Sequence, residues 1–306
     1  MDIIEHENVR LHRWQCGPST FVARPELGAR LMSWVLTDRD GPDRPVIYWP
    51  EDVGSDDFYR IRGGNPILFP FSGRSFHQGS KGYWPDAKGI VRAMPMHGFA
   101  RGGAFSLIET NDSGFTAELQ PTEDDHEAYP YAYRFQVRYV FGERSLQCMM
   151  TLENLDEQPL LWSAGHHFYF TLPWKEQTVR QDYSFNIPAK NAYTHAPDGS
   201  LAAVKPFSTH DSFGNPANND RIFTGLDGAC ACVTLAGSDE EVRVRILPDT
   251  DTASSENAFV IWSETEDSPF YCVEPWMGPP NSAEHGKGLH SVKPGEQSCF
   301  AVEVSV

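Results

Sequence analysis

An all-β fold, sandwich or barrel, is what this chain predicts. Three observations carry the prediction. Apolar and polar residues alternate with a period of two, strictly so in Val242-Arg243-Val244-Arg245-Ile246, which marks a strand with one wet face. A helical period is rarely sustained over a full helix length. The 23 prolines and 25 glycines punctuate the chain throughout, and short strands divided by such turn-formers belong to sandwiches and barrels.

In chain order the strand-like runs are 116–119, 133–141, 145–152, 160–170, 230–235, 242–247, 258–264, 270–274 and 298–306. The last follows a turn at Glu296-Gln297-Ser298. Two long stretches, 72–96 and 189–228, read as irregular and rich in Gly, Pro, Asn and aromatics. Loops of that length in a compact domain are usually functional or mobile. In the first, His77, Tyr83 and Trp84 are expected as walls of a ligand cleft. No linker, repeat or low-complexity tract divides the chain, so residues 1–306 are expected to form one domain.

Composition narrows the function. The 306 residues are 40% hydrophobic and 12% aromatic, which suits a globular protein with a sizeable core. The 42 acidic residues outweigh 25 Lys and Arg, for a net charge of −17. Such a surface repels nucleic acid and anionic lipid at long range and points to a small or neutral ligand. Residues 1–14 are charged throughout and have no signal-like apolar run, and no stretch is long and apolar enough to span a membrane. The six cysteines (16, 148, 230, 232, 272, 299) lie mostly in apolar strand contexts and read as reduced core thiols. Together these features predict a cytoplasmic protein, monomeric or weakly homodimeric, with no membrane or nucleic-acid partner. Cys230-Ala-Cys232 would share a strand face, but a lone pair of this spacing does not make a metal site.

Four segments could carry chemistry. Gly165-His166-His167-Phe168-Tyr169-Phe170 sets two histidines in an aromatic strand. Side chains alternate faces along a strand. His167 therefore joins Ser163, Gly165 and Tyr169 toward a solvated groove, while His166 joins Trp162, Ala164, Phe168 and Phe170. A histidine in such a groove suits acid–base work near pH 7. Gly63 to Arg74 reads as a buried strand ending in a tight turn that presents Arg74. In Met96-His97-Gly98-Phe99-Ala100-Arg101 the glycine leaves room for His97 to face a cleft. In Tyr271-Cys272-Val273-Glu274-Pro275-Trp276 a carboxylate ends an apolar strand, a proline stops the ladder, and Trp276 offers a flat face to a sugar ring.

Each segment also has an ordinary structural reading when taken singly. Two histidines and a glutamate could ligate zinc, but no HExxH or HxH spacing occurs, and the expectation is no metal and no cofactor. A GxSxG elbow is lacking, and the acidic pairs Asp124-Asp125 and Glu240-Glu241 sit in polar stretches suited to a solvated surface.

Together, and in this order, the four segments resemble the signatures of the aldose 1-epimerase (mutarotase) family. The resemblance spans most of the chain. It implies a large antiparallel β-supersandwich and interconversion of the α and β anomers of a free hexose. It implies Glu274 as the base that takes the C1 hydroxyl proton and His167 as the acid that protonates the ring oxygen. It further implies His97 near the ring oxygen or a hydroxyl, and Arg74 on sugar hydroxyls. The family's sugar-binding aspartate falls on Asp220, with Asp227 as the alternative. His166 is left to packing and orientation. Carboxyl and imidazole groups, with ordinary values near ~4.3 and ~6.5, need only modest tuning to coexist as carboxylate and imidazolium.

The chain departs from the galactose-specific pattern. Ser75-Phe76 follow Arg74, and Met277-Gly278-Pro279-Pro280-Asn281 follow Trp276. These features look like a broader bacterial branch and leave the sugar open. One alternative is a hexose 6-phosphate, its phosphate held among Arg62, Arg74 and Arg101. Another is a non-catalytic carbohydrate-binding protein of the same fold.

Overall fold

The computed structural model describes residues 1–6, 9–37, 42–50, 58–248 and 251–306. Two large sheets pack face to face. A 13-stranded sheet runs from the hairpins at Asp2–His6, Val9–Cys16, Ser19–Arg24 and Arg30–Leu36 through Arg44–Ile47 to Phe168–Thr171. It continues through Phe270–Trp276, Ala258–Trp262, Arg221–Leu226 and Ala189–His195 to Leu201–Ala203, with Ile67–Leu68 and Gly165–His166 attached at its centre. A nine-stranded sheet runs Ala104–Asn111, Gly114–Gln120, Tyr133–Phe141, Ser145–Asn154, Gln297–Ser305, Glu241–Ile246, Cys230–Leu235, Tyr183–Asn186, His210–Ser212. Neighbouring strands in both are antiparallel, as the all-β reading expects. Two short helices, Glu123–Ala128 and Ser282–His285, lie outside the sheets, and no helix among the described residues is long and apolar enough to cross a membrane.

The period of two explains how the sheets meet. In Tyr133–Phe141 the residues Phe135, Val137, Tyr139 and Phe141 are buried and form one side of the inter-sheet core. Phe21 of the large sheet stacks on Phe141 at 4.4 Å, and Phe69 on Phe135 at 3.9 Å. Burying such rings supplies roughly 1.5–3 kcal/mol each, the dominant favourable term in a fold of this kind.

Alternation also gives the large sheet a second face, turned away from the core. In Phe270–Trp276, Tyr271 and Val273 join the inter-sheet core, whereas Cys272 groups with Tyr169, Phe270 and Trp262 on the other side. Phe259 and Ile261 face the core, while Val260 and Trp276 form a separate outer cluster. Loops cover this outer face, and the functional side chains lie between loops and sheet.

Several boundaries differ from the sequence reading. The run 160–170 is three strands, Leu160–Trp162, Gly165–His166 and Phe168–Thr171. The break falls at His167, whose N–H donates to Asn65 Oδ1 (3.1 Å) and the Pro66 carbonyl (3.2 Å) and not to a ladder partner. Pro275 does not stop its strand, which continues to Trp276 and pairs Pro275 with Phe259. The proline falls where pairing with the histidine run lapses, between Phe168↔Val273 and Gly165↔Trp276. The stretch 189–228 holds four strands and is not one irregular loop. Among the cysteines, all free, only Cys148 and Cys272 are buried; the other four are half-buried on strands.

Candidate active site

Glu274 lies at the centre of the large sheet's outer face. Its strand runs between Ala258–Trp262 and Phe168–Thr171, with Val260 directly opposite on one side. On the other side His167 comes alongside, and its Nε2 stands 3.4 Å from Glu274 Oε2. Both residues are nearly enclosed, His167 at 8% exposure and Glu274 at 2%. The solvated groove expected for His167 is therefore a buried pocket floor. The imidazole lies flat on Tyr169 (centroids 4.7 Å apart) and meets Trp262 edge-on at 5.7 Å.

Asn65 separates the two histidines. Its Oδ1 accepts the backbone N–H of His167, and its Nδ2 serves Tyr139 Oη (2.8 Å) and His166 Nδ1 (3.1 Å). With an amide donor on Nδ1, His166 carries its proton on Nε2. That ring stacks between Phe168 and Phe300 in the inter-sheet core, and burial drives its pKa down to about 3. The face assignment is borne out: His166 packs and His167 faces the pocket. Gly165 must lack a side chain, since a Cβ there would come within 2.4 Å of the Trp276 ring.

His97 reaches the same pocket from a loop. It has φ 66°, and Gly98 after it has φ 68°. The turn is locked by reciprocal bonds. His97 N–H donates to the Gly73 carbonyl (2.7 Å), and Gly73 N–H donates to His97 Nδ1 (3.0 Å). An Nδ1 that accepts leaves the proton on Nε2, so His97 presents an N–H donor. Burial first, then the neighbouring His167, Arg101, Arg74 and His195, hold it well below the ordinary imidazole range. The ring stands 5.5 Å from that of His167, at 77°.

Arg74 is exposed and bears electrostatically on His97, His195 and Asp220. Asp220 has φ 58° just before Arg221–Leu226 and sets Oδ1 3.8 Å from His195 Nε2. Its charge also bears on Glu274. Asp227 lies just beyond the other end of that strand, away from this cluster.

Four aromatic expectations meet the structure here. Trp276 offers no face to a ligand: it is 2% exposed and packed against Leu68, Ile222, Ala258 and Val260, with its indole N–H donating to the His166 carbonyl. Trp84 is in the core, bonded to the Ala128 carbonyl, and is not a cleft wall. His77 pairs with Glu284 at 3.1 Å, and Tyr83 is exposed on a short hairpin with Val91–Ala93. The half-exposed indole beside His167 is Trp262.

Sequence reasoning also missed His195, Asn65, Arg30 and Cys272. Arg30 is fully buried, donates to the carbonyls of Gly63 and Ile61, and bears on His167 from below. A histidine beside a strand end or an arginine in a hairpin carries no local signal. Among the described residues, one group has metal-ligand composition: His167, Cys272 and Glu274, with ligand atoms all within 4.8 Å of one another.

The charge balance differs from the expected carboxylate and imidazolium. Burial, helped by Asp220, pushes Glu274 well above the ordinary carboxyl value. Burial, then Arg30, Arg101 and Arg62, push His167 down to about 3. Taking charge out of water favours the neutral form of each group. Burial therefore works against charge on both members of the pair.

Relatives share this architecture. The chain is 27% identical over 287 residues to the plasmid protein LacX of Lactococcus lactis subsp. lactis, covering 86% of each. A galactose mutarotase related enzyme from Lactobacillus acidophilus superposes with a TM-score of 0.77 at 20% identity, over 96% of both chains. A galactose mutarotase-like protein from Lactobacillus casei gives 0.74 at 20% identity, over 96% of this chain and 99% of that one. These structural likenesses establish the galactose mutarotase-like β-sandwich. The aldose 1-epimerase family model matches residues 14–305. On that match, over nearly the whole length, the chain belongs to the aldose 1-epimerase family.

Proposed function

We propose that the protein interconverts the α and β anomers of a free hexose, without a cofactor, as a single cytoplasmic domain. The observation that carries this is the His167–Glu274 pair, 3.4 Å apart on the floor of a pocket ringed by His97, Asp220, Arg74 and Trp262. Opening a cyclic hemiacetal removes one proton and delivers another. Glu274 accepts the C1 hydroxyl proton while His167 protonates the ring oxygen. The open aldehyde turns about C1–C2, and on closure His167 takes its proton back from the O5 hydroxyl while Glu274 returns its own to O1, now on the other face. His97 offers Nε2–H to an oxygen beside the reacting bond. Arg74 and Asp220 hold hydroxyls.

Proton counting supports these roles. The pair holds one proton before and after opening. Opening converts carboxylate and imidazolium into carboxyl and imidazole, the state burial prefers. The environment thus favours the open-chain complex, in which the anomeric face is exchanged. Each positioned group is worth about 10² to 10⁴-fold.

A free hexose is favoured over a hexose 6-phosphate by Arg62, which is engaged by Glu264 at 2.7 Å over the Trp262 ring. Polarimetry on freshly dissolved α-glucose, α-galactose and glucose 6-phosphate tests both. Acceleration on a free hexose, lost in Glu274→Gln and His167→Asn, is expected. Acceleration on the phosphate alone supports the alternative substrate. Sugar binding with no acceleration anywhere supports a binding protein.

A further inference from the structure

We infer that the floor of this pocket is also a soft-metal site, in which His167, Cys272 and Glu274 take a Zn²⁺ or Cd²⁺ ion that excludes the sugar. Cys272 and Glu274 are two apart on one strand, so both project from the same face. Cys272 lies opposite Tyr169 on one side and Trp262 on the other, directly beside the catalytic pair. The thiol, the imidazole and the carboxylate each offer one atom, all within 4.8 Å of one another. Zinc bonds of ~2.0–2.3 Å in a tetrahedron place ligands roughly 3.3–3.8 Å apart. Side-chain rotations of about 1 Å close the remaining gap.

Two further observations point to an occupant. Glu274 Oε2 is buried and has no hydrogen-bond partner among the described residues, and the polar atom facing it is His167 Nε2 at 3.4 Å. Such atoms are costly to leave bare. Charge fits as well. One thiolate, one carboxylate and one neutral imidazole balance a divalent cation, and a neutral assembly is what an enclosed site tolerates. Burial keeps the free Cys272 thiol protonated. Coordination displaces that proton to solvent, since a metal-bound thiol ionises outright. The sulfur selects zinc or cadmium over magnesium or calcium, which prefer oxygen ligands.

The inhibitory consequence rests on the proposed epimerase reading, because the metal occupies the two groups that move protons. Binding itself does not. The test uses the full chain with Cys230→Ser and Cys232→Ser, which removes the other close pair of thiols. Cd²⁺ is titrated while its ultraviolet thiolate charge-transfer band is recorded. The band should saturate, vanish on adding Cys272→Ser, and, on adding Glu274→Gln instead, saturate with an affinity lower by roughly tenfold or more. In parallel, Zn²⁺ should raise the apparent KM for hexose without lowering kcat. Cys272→Ser should keep the metal-free rate and lose that effect. Should the serine variant misfold, Cys272→Ala serves, with the thermal transition as the check. A band indifferent to Cys272 overturns the site. A Cys272-dependent band in a protein that turns over no hexose keeps the site and overturns the epimerase reading.

Discussion

His167 Nε2 and Glu274 Oε2 lie 3.4 Å apart on adjoining segments of one sheet, close enough to pass a proton and enclosed enough that neither group prefers a charge. This relationship organises the site. In the proposed reaction the acid and the base are one buried unit with one proton between them. Groups coupled this closely titrate as a pair.

The pH–rate profile should therefore be flat where an ordinary imidazole titrates, near ~6.5. The active pair holds one proton. A second proton must go onto His167, whose pKa is pushed down to about 3, so the acid limb lies far below neutrality. Loss of the single proton follows the raised Glu274 value, which sets the alkaline limb. Polarimetric kcat/KM against pH checks this, and an acid limb near ~6.5 would contradict the enclosed pair.

The two tryptophans should separate by what they change. Trp262→Ala removes a half-exposed ring beside His167 and should raise KM about tenfold, or ~1.4 kcal/mol, with little loss of stability. Trp276→Ala empties a buried position and should cost ~3–5 kcal/mol of folding free energy. Denaturant unfolding with saturation kinetics on both variants distinguishes them. A reversed pattern would put the sugar on Trp276.

Gly98→Ala should disable the site from outside it. A Cβ there would stand 1.8 Å from the Phe69 carbonyl oxygen, at φ 68°. The turn must open, which carries His97 away from the pocket. Strain of ~1–3 kcal/mol and a fall in kcat are expected. A thermal scan and polarimetry read both, and an unchanged rate would remove His97 from the reaction.

Stability should record the buried His166. Its folded pKa of about 3 lies below the unfolded value near ~6.5. The unfolded chain therefore takes up a proton first as pH falls. The contribution is fully present above ~6.5 and is lost toward 3, at ~1.4 kcal/mol per pH unit. Between pH 7 and pH 5 this comes to about 2 kcal/mol. His166→Gln, which keeps an acceptor for Asn65, should lose that slope. Urea unfolding of both proteins at the two pH values measures the difference. Equal slopes would mean that His166 titrates normally in the fold.

Legibility followed locality. Tyr133–Phe141 was readable to the residue because polar and apolar residues alternate along it, and Cys230–Leu235 because it is a short, largely apolar run. The first two strands, Asp2–His6 and Val9–Cys16, carry too many charges to stand out, yet they pair through five successive ladder positions. Asn65 could not be read as a positioning residue, since its partners Tyr139, His166 and His167 are 74 to 102 positions away. Trp276 and Trp262 both end apolar strands, and nothing local says which one other segments will cover.

By itself the sequence determined the all-β class, the family resemblance, and the opposite faces of His166 and His167. Each follows from a short-range property: a period of two, or a motif carried on contiguous residues. Only the tertiary structure decided that His167 and Glu274 are enclosed, that burial works against charge on both, and that Trp276 is covered while Trp262 stays half-exposed beside His167. Burial and protonation depend on what distant segments bring against a side chain, and a pKa belongs to that environment more than to the residue.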